Sequence, residues 1–204
     1  MPNDDAADYY NDLEDTLSHA HSLLSGAVDQ SASPLRTPVL ASISQDAQGA
    51  LSANSRIVVM RGFDPEERHF SLYTDSRSSK IREIQMRPAV SAAFYDPGKR
   101  IQLRLSGHCS IHRNDDETEK IWSILPSHNK ALYGINPGPG TQLPAGDAYK
   151  IGSIDAAQQS EFHFCIVKVS YHQLEWLYLA SEGHRRAQYV WQSNGILTSQ
   201  WVAP

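Results

Sequence analysis

Apolar residues recur with helical spacing near the start of this 204-residue chain. The set consists of Leu13, Leu17, Ala20 and Leu24. Residues that return to one side at each turn form an apolar face, so this pattern predicts a helix over residues 5–28. Gly26 ends the pattern, and the period of the apolar positions changes after Pro34.

After Pro34 apolar and polar residues alternate, which is typical of strands with one buried face. The clearest alternation covers residues 100–111. Its apolar members are Ile101, Leu103 and Leu105, and its polar members are Gln102, Arg104 and Ser106. Further strands are predicted over residues 39–43, 55–61, 69–74, 89–95, 161–179, 189–192 and 196–202.

Short helices are predicted over residues 78–86 and 115–124, and a loop rich in Pro and Gly over residues 136–146. Because helices do not alternate with every strand, a doubly wound parallel sheet is disfavoured. We therefore expect a mainly β (α+β) fold, a mostly antiparallel barrel with short peripheral helices. The length predicts a single domain over residues 1–204, with a helix in residues 1–30 packed on the barrel.

Hydrophobic residues make up 40% and charged residues 20% of the chain, a composition typical of globular proteins. The net charge of -5 argues against a nucleic-acid-binding protein, which needs a basic surplus. The longest apolar run, residues 176–180, is far too short to cross a bilayer, and the acidic N-terminus lacks the features of a signal peptide. Cys109 and Cys165 are too few for a disulfide framework, so we expect a cytoplasmic protein. From the charge and the short apolar runs we expect no nucleic-acid or membrane partners.

The common catalytic and metal-binding motifs are absent from the sequence. It contains no P-loop, no dinucleotide-binding glycine motif, no Cys-x-x-Cys and no His-Glu-x-x-His. His108 and His112 are the pair that most resembles metal ligands, but the spacing of other residues indicates no third ligand. The sequence therefore predicts no metal site.

Basic and hydroxyl residues gather where predicted strands end. Arg56 lies in one predicted strand, and the run YTDSRSSK over residues 73–80 joins the end of another strand to the start of a helix. A helix start with free amide groups and nearby cations is suited to a phosphate group. Gln102 and Arg104 add polar side chains from the alternating strand.

These residues belong to blocks that resemble a known family. The blocks are SRIVVMRGFD, FSLYTDSRSSKIREIQMRPAVSAAFYDP, RIQLRLSGHCSI and LEWLYLASEGHRRAQYVWQ. In this order and spacing they resemble the pyridoxamine 5′-phosphate oxidase family of split barrels that bind flavin mononucleotide (FMN). The resemblance covers roughly residues 35–125 and 161–204. It implies an antiparallel split β-barrel that binds FMN and forms a homodimer, with flavin sites at the subunit interface.

The resemblance also implies roles for individual residues on the cofactor. Arg56 would contact the FMN phosphate or ribityl chain, and Lys80 the phosphate. Tyr73 and Thr74 would line the flavin from the end of their strand. Where the family has an Arg before this Lys, the chain has Ser79, and Arg77 is the candidate for the missing cation.

Three further residues are matched to the flavin ring by the same resemblance. Gln102 would hydrogen-bond the polar edge of the ring. Trp176 and Arg186 would approach the flavin from the second subunit. Reduction places negative charge on this side of a flavin, so hydrogen-bond donors there would tune its reduction potential.

The residues that correspond to the family's substrate-binding positions depart from the family pattern. His184 matches a substrate-binding His, and an imidazole side chain is suited to proton transfer near neutrality. Glu182 stands where the family has an Arg, which would repel an anionic substrate. Arg61 stands where the oxidase has a substrate-binding Lys, and Lys130 is the nearest cation in the helical region that should carry further substrate ligands.

The resemblance thus implies an FMN-dependent oxidoreductase that transfers a hydride between flavin and an unidentified small substrate. His184 would be its catalytic residue, and Arg61, Lys130 and His184 would bind the substrate. One alternative is a non-enzymatic flavin or haem binder on the same fold. Another is a barrel without a cofactor that serves as an interaction module. Authentic pyridoxamine 5′-phosphate oxidase activity is the less favoured hypothesis, because Glu182 would repel its anionic substrate.

Overall fold

The N-terminal helix begins at the first residue of its apolar pattern, Leu13, and not at residue 5 as predicted. The computed structural model describes residues 8–151 and 161–204. A 3₁₀ turn (Asp8–Asn11) precedes helix α1 (Leu13–Asp29), and the side chain of Asp12 accepts hydrogen bonds from the first free amides of α1. This cap fixes where the helix starts, so the helix predicted from residue 5 is correct in type and wrong in its first residue. Residues 5–7 lie outside the described part of the chain.

Nine strands form one antiparallel sheet in the part of the chain that the structure describes. They are β1 (Val39–Gln45), β2 (Leu51–Ile57), β3 (Met60–Asp64), β4 (His69–Asp75), β5 (Ala89–Asp96), β6 (Ile101–His112), β7 (Phe164–Tyr178), β8 (Arg185–Trp191) and β9 (Leu197–Val202). Their order is β2-β1-β5-β6-β7-β4-β3, and β8 and β9 attach through β7. The mainly antiparallel β fold with short helices is therefore confirmed.

One predicted strand is divided in two. The sequence suggested a single strand over residues 55–61, but β2 ends at Ile57 and β3 begins at Met60. After Ile57 the chain leaves its ladder with β1, and from Met60 it pairs with β4. The apolar run between them continues through this change because Val58 and Met60 are both buried.

The remaining helices are short and lie between the strands. They are α2 (Ser79–Met86), α3 (Asp116–Ile124) and α4 (Ser127–Ala131), with 3₁₀ turns at Pro34–Arg36, Leu132–Gly134 and Glu161–His163. Helices α2 and α3 were expected from the sequence. Helix α4 was not, because none of its residues is buried and it shows no apolar stripe. Among the described residues no helix is long and apolar enough to span a bilayer.

The core lies between the inner face of the sheet and helices α1 and α2. Ile101, Leu103 and Leu105 of β6 have no exposed surface, as their alternation predicted. Ala20 and Leu24 of α1 cover this core from the N-terminal side. Helix α1 thus packs on the inner face of the sheet.

Strands β6 and β7 approach closely at a bulge between Ser106 and Gly107. A Cβ atom on Gly107 would lie 2.0 Å from the carbonyl oxygen of Ser170. Only a residue without a side chain fits there, so Gly107 fixes the register of the two longest strands.

Candidate functional site

Two cations from different elements meet beside the first turn of α2. Lys80 Nζ donates to Thr74 Oγ1 at 2.7 Å and to Ser78 Oγ at 3.1 Å, and both hydroxyl residues are buried. Burial lowers the pKa of Lys80, and the nearby charge of Arg56 lowers it further. The structure thus brings together Arg56, Thr74 and Lys80, three of the residues matched to the cofactor.

Arg56 is held by a carboxylate that the sequence analysis did not identify. Its NH2 group lies 2.7 Å from Glu83 Oε2, and its NH1 group donates to the Leu40 carbonyl oxygen at 3.4 Å and to Ser42 Oγ. Glu83 also accepts from Ser42 Oγ at 2.5 Å and from Asn54 Nδ2 at 3.3 Å. We refer to Arg56, Thr74, Ser78, Lys80 and Glu83 as the cradle.

Glu83 is charged within the cradle although it is buried. Burial acts to raise the pKa of its carboxyl, but the hydrogen bonds from Ser42 and Arg56 outweigh this effect and hold the pKa below its ordinary value. The carboxylate is therefore ionised near neutral pH and balances one of the two cations.

Arg77 points away from the cradle. Its guanidinium forms an ion pair with Asp75 at 2.7 Å and donates to the carbonyl oxygens of Tyr133 and Ile135 at 3.1 and 3.0 Å. It therefore fastens the end of β4 to the turn after α4. Ser79 is exposed at the start of α2. The assignment of Arg77 to a phosphate stays a prediction, and it requires these three contacts to be replaced.

A second group of polar residues lies on the outer face of the sheet. The strand registers place Tyr95, Gln102, Leu177, Arg186 and Val202 in one row across β5, β6, β7, β8 and β9. Side chains directly opposite each other in paired strands share a face. Gln102 and Arg186 therefore face the same surface, two strand spacings or about 10 Å apart.

Arg186 is oriented by Glu175. Its NH2 group lies 2.6 Å from Glu175 Oε2, while Arg104 NH2 and Gln173 Nε2 donate to Oε1 at 2.5 and 2.7 Å. Glu175 is only 7% exposed. Its burial acts to raise its pKa, but the bonds from Arg104 and Arg186 outweigh it and hold the pKa below the ordinary value.

Trp176 lies on the opposite face of the sheet from Arg186. It has no exposed surface and packs against the rings of Tyr10, Tyr178 and Trp201, at 5.2, 6.2 and 6.4 Å between centroids. Its indole nitrogen is buried and has no hydrogen-bond partner among residues 8–151 and 161–204. The structure therefore separates Trp176 from Arg186 within one chain. A flavin contact by Trp176 stays a prediction that requires Tyr10 to move.

His184 and Arg186 share a small cleft. The cleft has a volume of about 290 Å³ and is lined by Asn11, His184, Arg185, Arg186, Trp201 and Val202. His184 Nδ1 lies 3.1 Å from the carbonyl oxygen of Ala180. Because a carbonyl oxygen only accepts, Nδ1 carries the proton in this contact, which leaves Nε2 of the neutral ring as an acceptor toward a ligand. Glu182, two residues earlier in the chain, is exposed and is not among the residues that line the cleft.

Arg61 and Lys130 flank an aromatic cluster instead. Arg61 lies over the ring of Tyr73, at 5.8 Å from its centroid, and Lys130 Nζ lies 5.4 Å from the centroid of Trp122. Tyr73 and Trp122 both pack against Phe164 at 5.4 Å. Tyr73 thus faces this cluster, whereas its neighbour Thr74 faces the cradle.

Metal-ligating residues do not cluster in the described part of the chain. Residues 8–151 and 161–204 contain no group of three or more His, Cys, Asp or Glu side chains that could hold a metal ion. The rings of His108 and His172 are tilted against each other with centroids 5.5 Å apart, and His112 Nδ1 lies 3.1 Å from Asp115 Oδ2.

Residues 18–113 match the model of the FMN-binding domain of pyridoxamine 5′-phosphate oxidase. A curated relative, pyridoxine/pyridoxamine 5′-phosphate oxidase 2 of Arabidopsis thaliana, is 24% identical over 133 residues, which cover 62% of this chain and 67% of the relative.

Solved structures share the whole fold. A pyridoxamine 5′-phosphate oxidase-related FMN-binding protein of Nostoc punctiforme PCC 73102 has a TM-score of 0.67 at 23% identity, with 92% of this chain and 95% of that chain covered. PhzG of Burkholderia lata 383, solved with tetrahydrophenazine-1-carboxylic acid, has a TM-score of 0.70 at 18% identity, with 97% and 96% covered. At these identities the likeness to the structures shows the fold.

Proposed function

We propose that this chain, whose residues 18–113 match the FMN-binding domain of pyridoxamine 5′-phosphate oxidase, is a member of that family, binds FMN and acts as an oxidoreductase. The reaction is a hydride transfer between the flavin and a small substrate. The observation that carries this proposal is the cradle, where Arg56 and Lys80 come together from distant parts of the chain.

The cradle has the chemistry of a phosphate site. Lys80 is desolvated beside a second cation, which makes its charged form less stable than in water. A phosphate bound between Arg56 and Lys80 would offset this repulsion with charge-assisted hydrogen bonds. Thr74 and Ser78 hold the ammonium group in place for such a ligand.

The outer row supplies donors for the flavin ring. Gln102 offers an amide and Arg186 a guanidinium on the same surface. When bound, the flavin supplies the hydride chemistry, and the protein supplies position and charge. In our proposal Trp176 contacts the flavin only after Tyr10 has moved away from it.

A second copy of the chain is proposed to complete the site. Family members are typically dimers. Tyr95 lies in the row that contains Gln102 and is 46% exposed, and Val39 and Ile57 lie in the neighbouring row and are 42% and 71% exposed. Apolar residues of this size on one sheet face are suited to burial against another subunit. A homodimer would place the donors of one chain near the cradle of the other.

The substrate is proposed to enter the cleft beside His184. The cleft volume of about 290 Å³ is sufficient for a small molecule. Nε2 of His184 can accept or return a proton there, and Arg186 adds positive charge. Glu182, an exposed carboxylate two residues before His184 in the chain, would repel an anionic substrate that approaches the cleft. We therefore propose a substrate other than pyridoxamine 5′-phosphate.

Anaerobic reduction of the FMN-loaded protein tests the enzymatic part of this proposal. We expect NADH or NADPH to bleach the flavin absorbance, and oxygen or an added acceptor to restore it. If the flavin binds but stays oxidised with every nicotinamide donor and candidate substrate, the protein is a flavin-binding protein and not an oxidoreductase.

A further inference from the structure

Glu83 places a negative charge where the proposed phosphate would bind. Its carboxylate receives Arg56 NH2 at 2.7 Å, in the geometry that a ligand oxyanion would use. Ser42 Oγ and Asn54 Nδ2 hold the two carboxylate oxygens, so Glu83 is anchored on the β1 and β2 side of α2. The residue is 8% exposed, so its carboxylate makes little contact with water.

This arrangement lowers the positive charge that the cradle offers. The charged side chains facing Glu83 are Arg56 from β2 and Lys80 from its own helix. Nearby, Asp75 is balanced by Arg77 in the same way. Two cations and one carboxylate leave one net positive charge at the cradle, whereas the phosphate of FMN carries nearly two negative charges at neutral pH.

We infer that Glu83 helps to determine ligand specificity. Its negative charge limits the preference of this protein for a phosphorylated flavin over an unphosphorylated one. Like charges placed close together in a desolvated site cost affinity. The phosphate of FMN gains the contacts of Lys80 and Arg56 but is repelled by Glu83. This inference rests on the proposed flavin binding, and it concerns only the ratio of two affinities.

The test compares the dissociation constants of FMN and riboflavin for the full-length protein, measured by quenching of flavin fluorescence. Glu83→Gln keeps an acceptor for Arg56 and removes the charge. Glu83→Asp keeps the charge and withdraws it from Arg56. If charge is decisive, the Gln variant raises the preference for FMN by roughly tenfold, and the Asp variant leaves it within a few-fold of the wild type.

Glu67→Gln is the matched control, because it makes the same change in net charge at an exposed turn. A Gln variant with an unchanged or weaker preference for FMN, or an Asp variant that alone loses this preference, would overturn the inference and make Glu83 a residue that positions Arg56. Either folded variant decides the question. If the wild type binds neither flavin, the proposed function itself fails. If the wild type binds flavin and the variants give the contradicting results above, only the inference fails.

Discussion

Gln102 and Arg186 lie in one row across the outer face of the sheet, with Leu177 of β7 between them. A ligand on this face meets an amide on one side of Leu177 and a guanidinium on the other. The guanidinium is fixed by Glu175 and is thus pre-organised.

Removing the ammonium group of the cradle should weaken FMN binding. Lys80→Ala is expected to raise the dissociation constant of FMN by at least about tenfold, because a hydrogen bond to a charged group is worth about 1.5–3 kcal/mol. Fluorescence titration measures this effect, and riboflavin should bind with unchanged affinity. Lys120→Ala, on the exposed face of α3, is the control. Unchanged FMN affinity in both Lys80→Ala and Arg56→Ala would remove the phosphate assignment.

Removing the amide of Gln102 should make bound flavin harder to reduce. The charge that develops on the ring loses one donor, so Gln102→Leu is expected to lower the midpoint potential by about 30 mV, the equivalent of one hydrogen bond in a two-electron couple. Spectroscopic redox titration measures the potential. Gln192→Leu, in the exposed turn after β8, should leave it unchanged. Equal potentials for Gln102→Leu and the wild type would separate Gln102 from the flavin.

Removing the imidazole of His184 should slow turnover without releasing flavin. Loss of a proton-transferring group typically costs about 100-fold or more in rate, so His184→Ala is expected to lower kcat by that amount. Steady-state kinetics with the identified substrate measures kcat and KM separately. His128→Ala, exposed on α4, serves for comparison. Full turnover in His184→Ala would leave His184 without a catalytic role.

A side chain at Gly107 should disrupt the sheet. The added Cβ would lie 2.0 Å from a backbone oxygen of β7, which cannot retreat without breaking the ladder. We expect Gly107→Ala to lower the free energy of unfolding by about 3 kcal/mol or more in urea. Gly146→Ala is matched in chemistry and has open space around it. A Gly107→Ala protein as stable as the wild type would contradict the close approach of β6 and β7.

The network around Glu175 predicts a pH dependence of stability. Its folded-state pKa lies below the ordinary value of 4.5, so the folded protein binds fewer protons on this group than the unfolded chain. The stabilisation is present above pH 4.5 and is lost as the pH falls through the folded-state pKa. Glu175→Gln should therefore lower the free energy of unfolding by about 1–3 kcal/mol at pH 7 and by less at pH 3, which lies below the ordinary pKa.

Urea unfolding at both pH values measures this difference. Glu182→Gln is exposed and should show no such change. An effect of Glu175→Gln that is the same at pH 7 and pH 3 would show that the carboxylate charge does not stabilise the fold.

The sheet was predictable where side chains alternate strictly. In β6 the buried set and the polar set were assigned correctly, because a strand turns successive side chains to opposite faces. Gln102 was placed on the outer face in this way. The division of residues 55–61 between β2 and β3 was not predictable, because the apolar run IVVM continues through the break.

The contacts of the site residues depend on segments far apart in the sequence. Glu83 lies 27 residues from Arg56, and nothing in the run around it marks it as a partner of that cation. A polar residue between the apolar positions Ile81 and Ile84 of α2 was the only available signal. Trp176 is covered by Tyr10 from the other end of the chain, which no spacing near Trp176 reveals.

The identity of the chromophore bound to the purified protein tests the central claim most directly. We expect an absorbance spectrum typical of flavin, and denaturation should release FMN, identified by its mass, at about one molecule per chain. A colourless protein that stays colourless and does not quench flavin fluorescence after incubation with FMN would contradict the account. A Soret band with release of haem would contradict it as well.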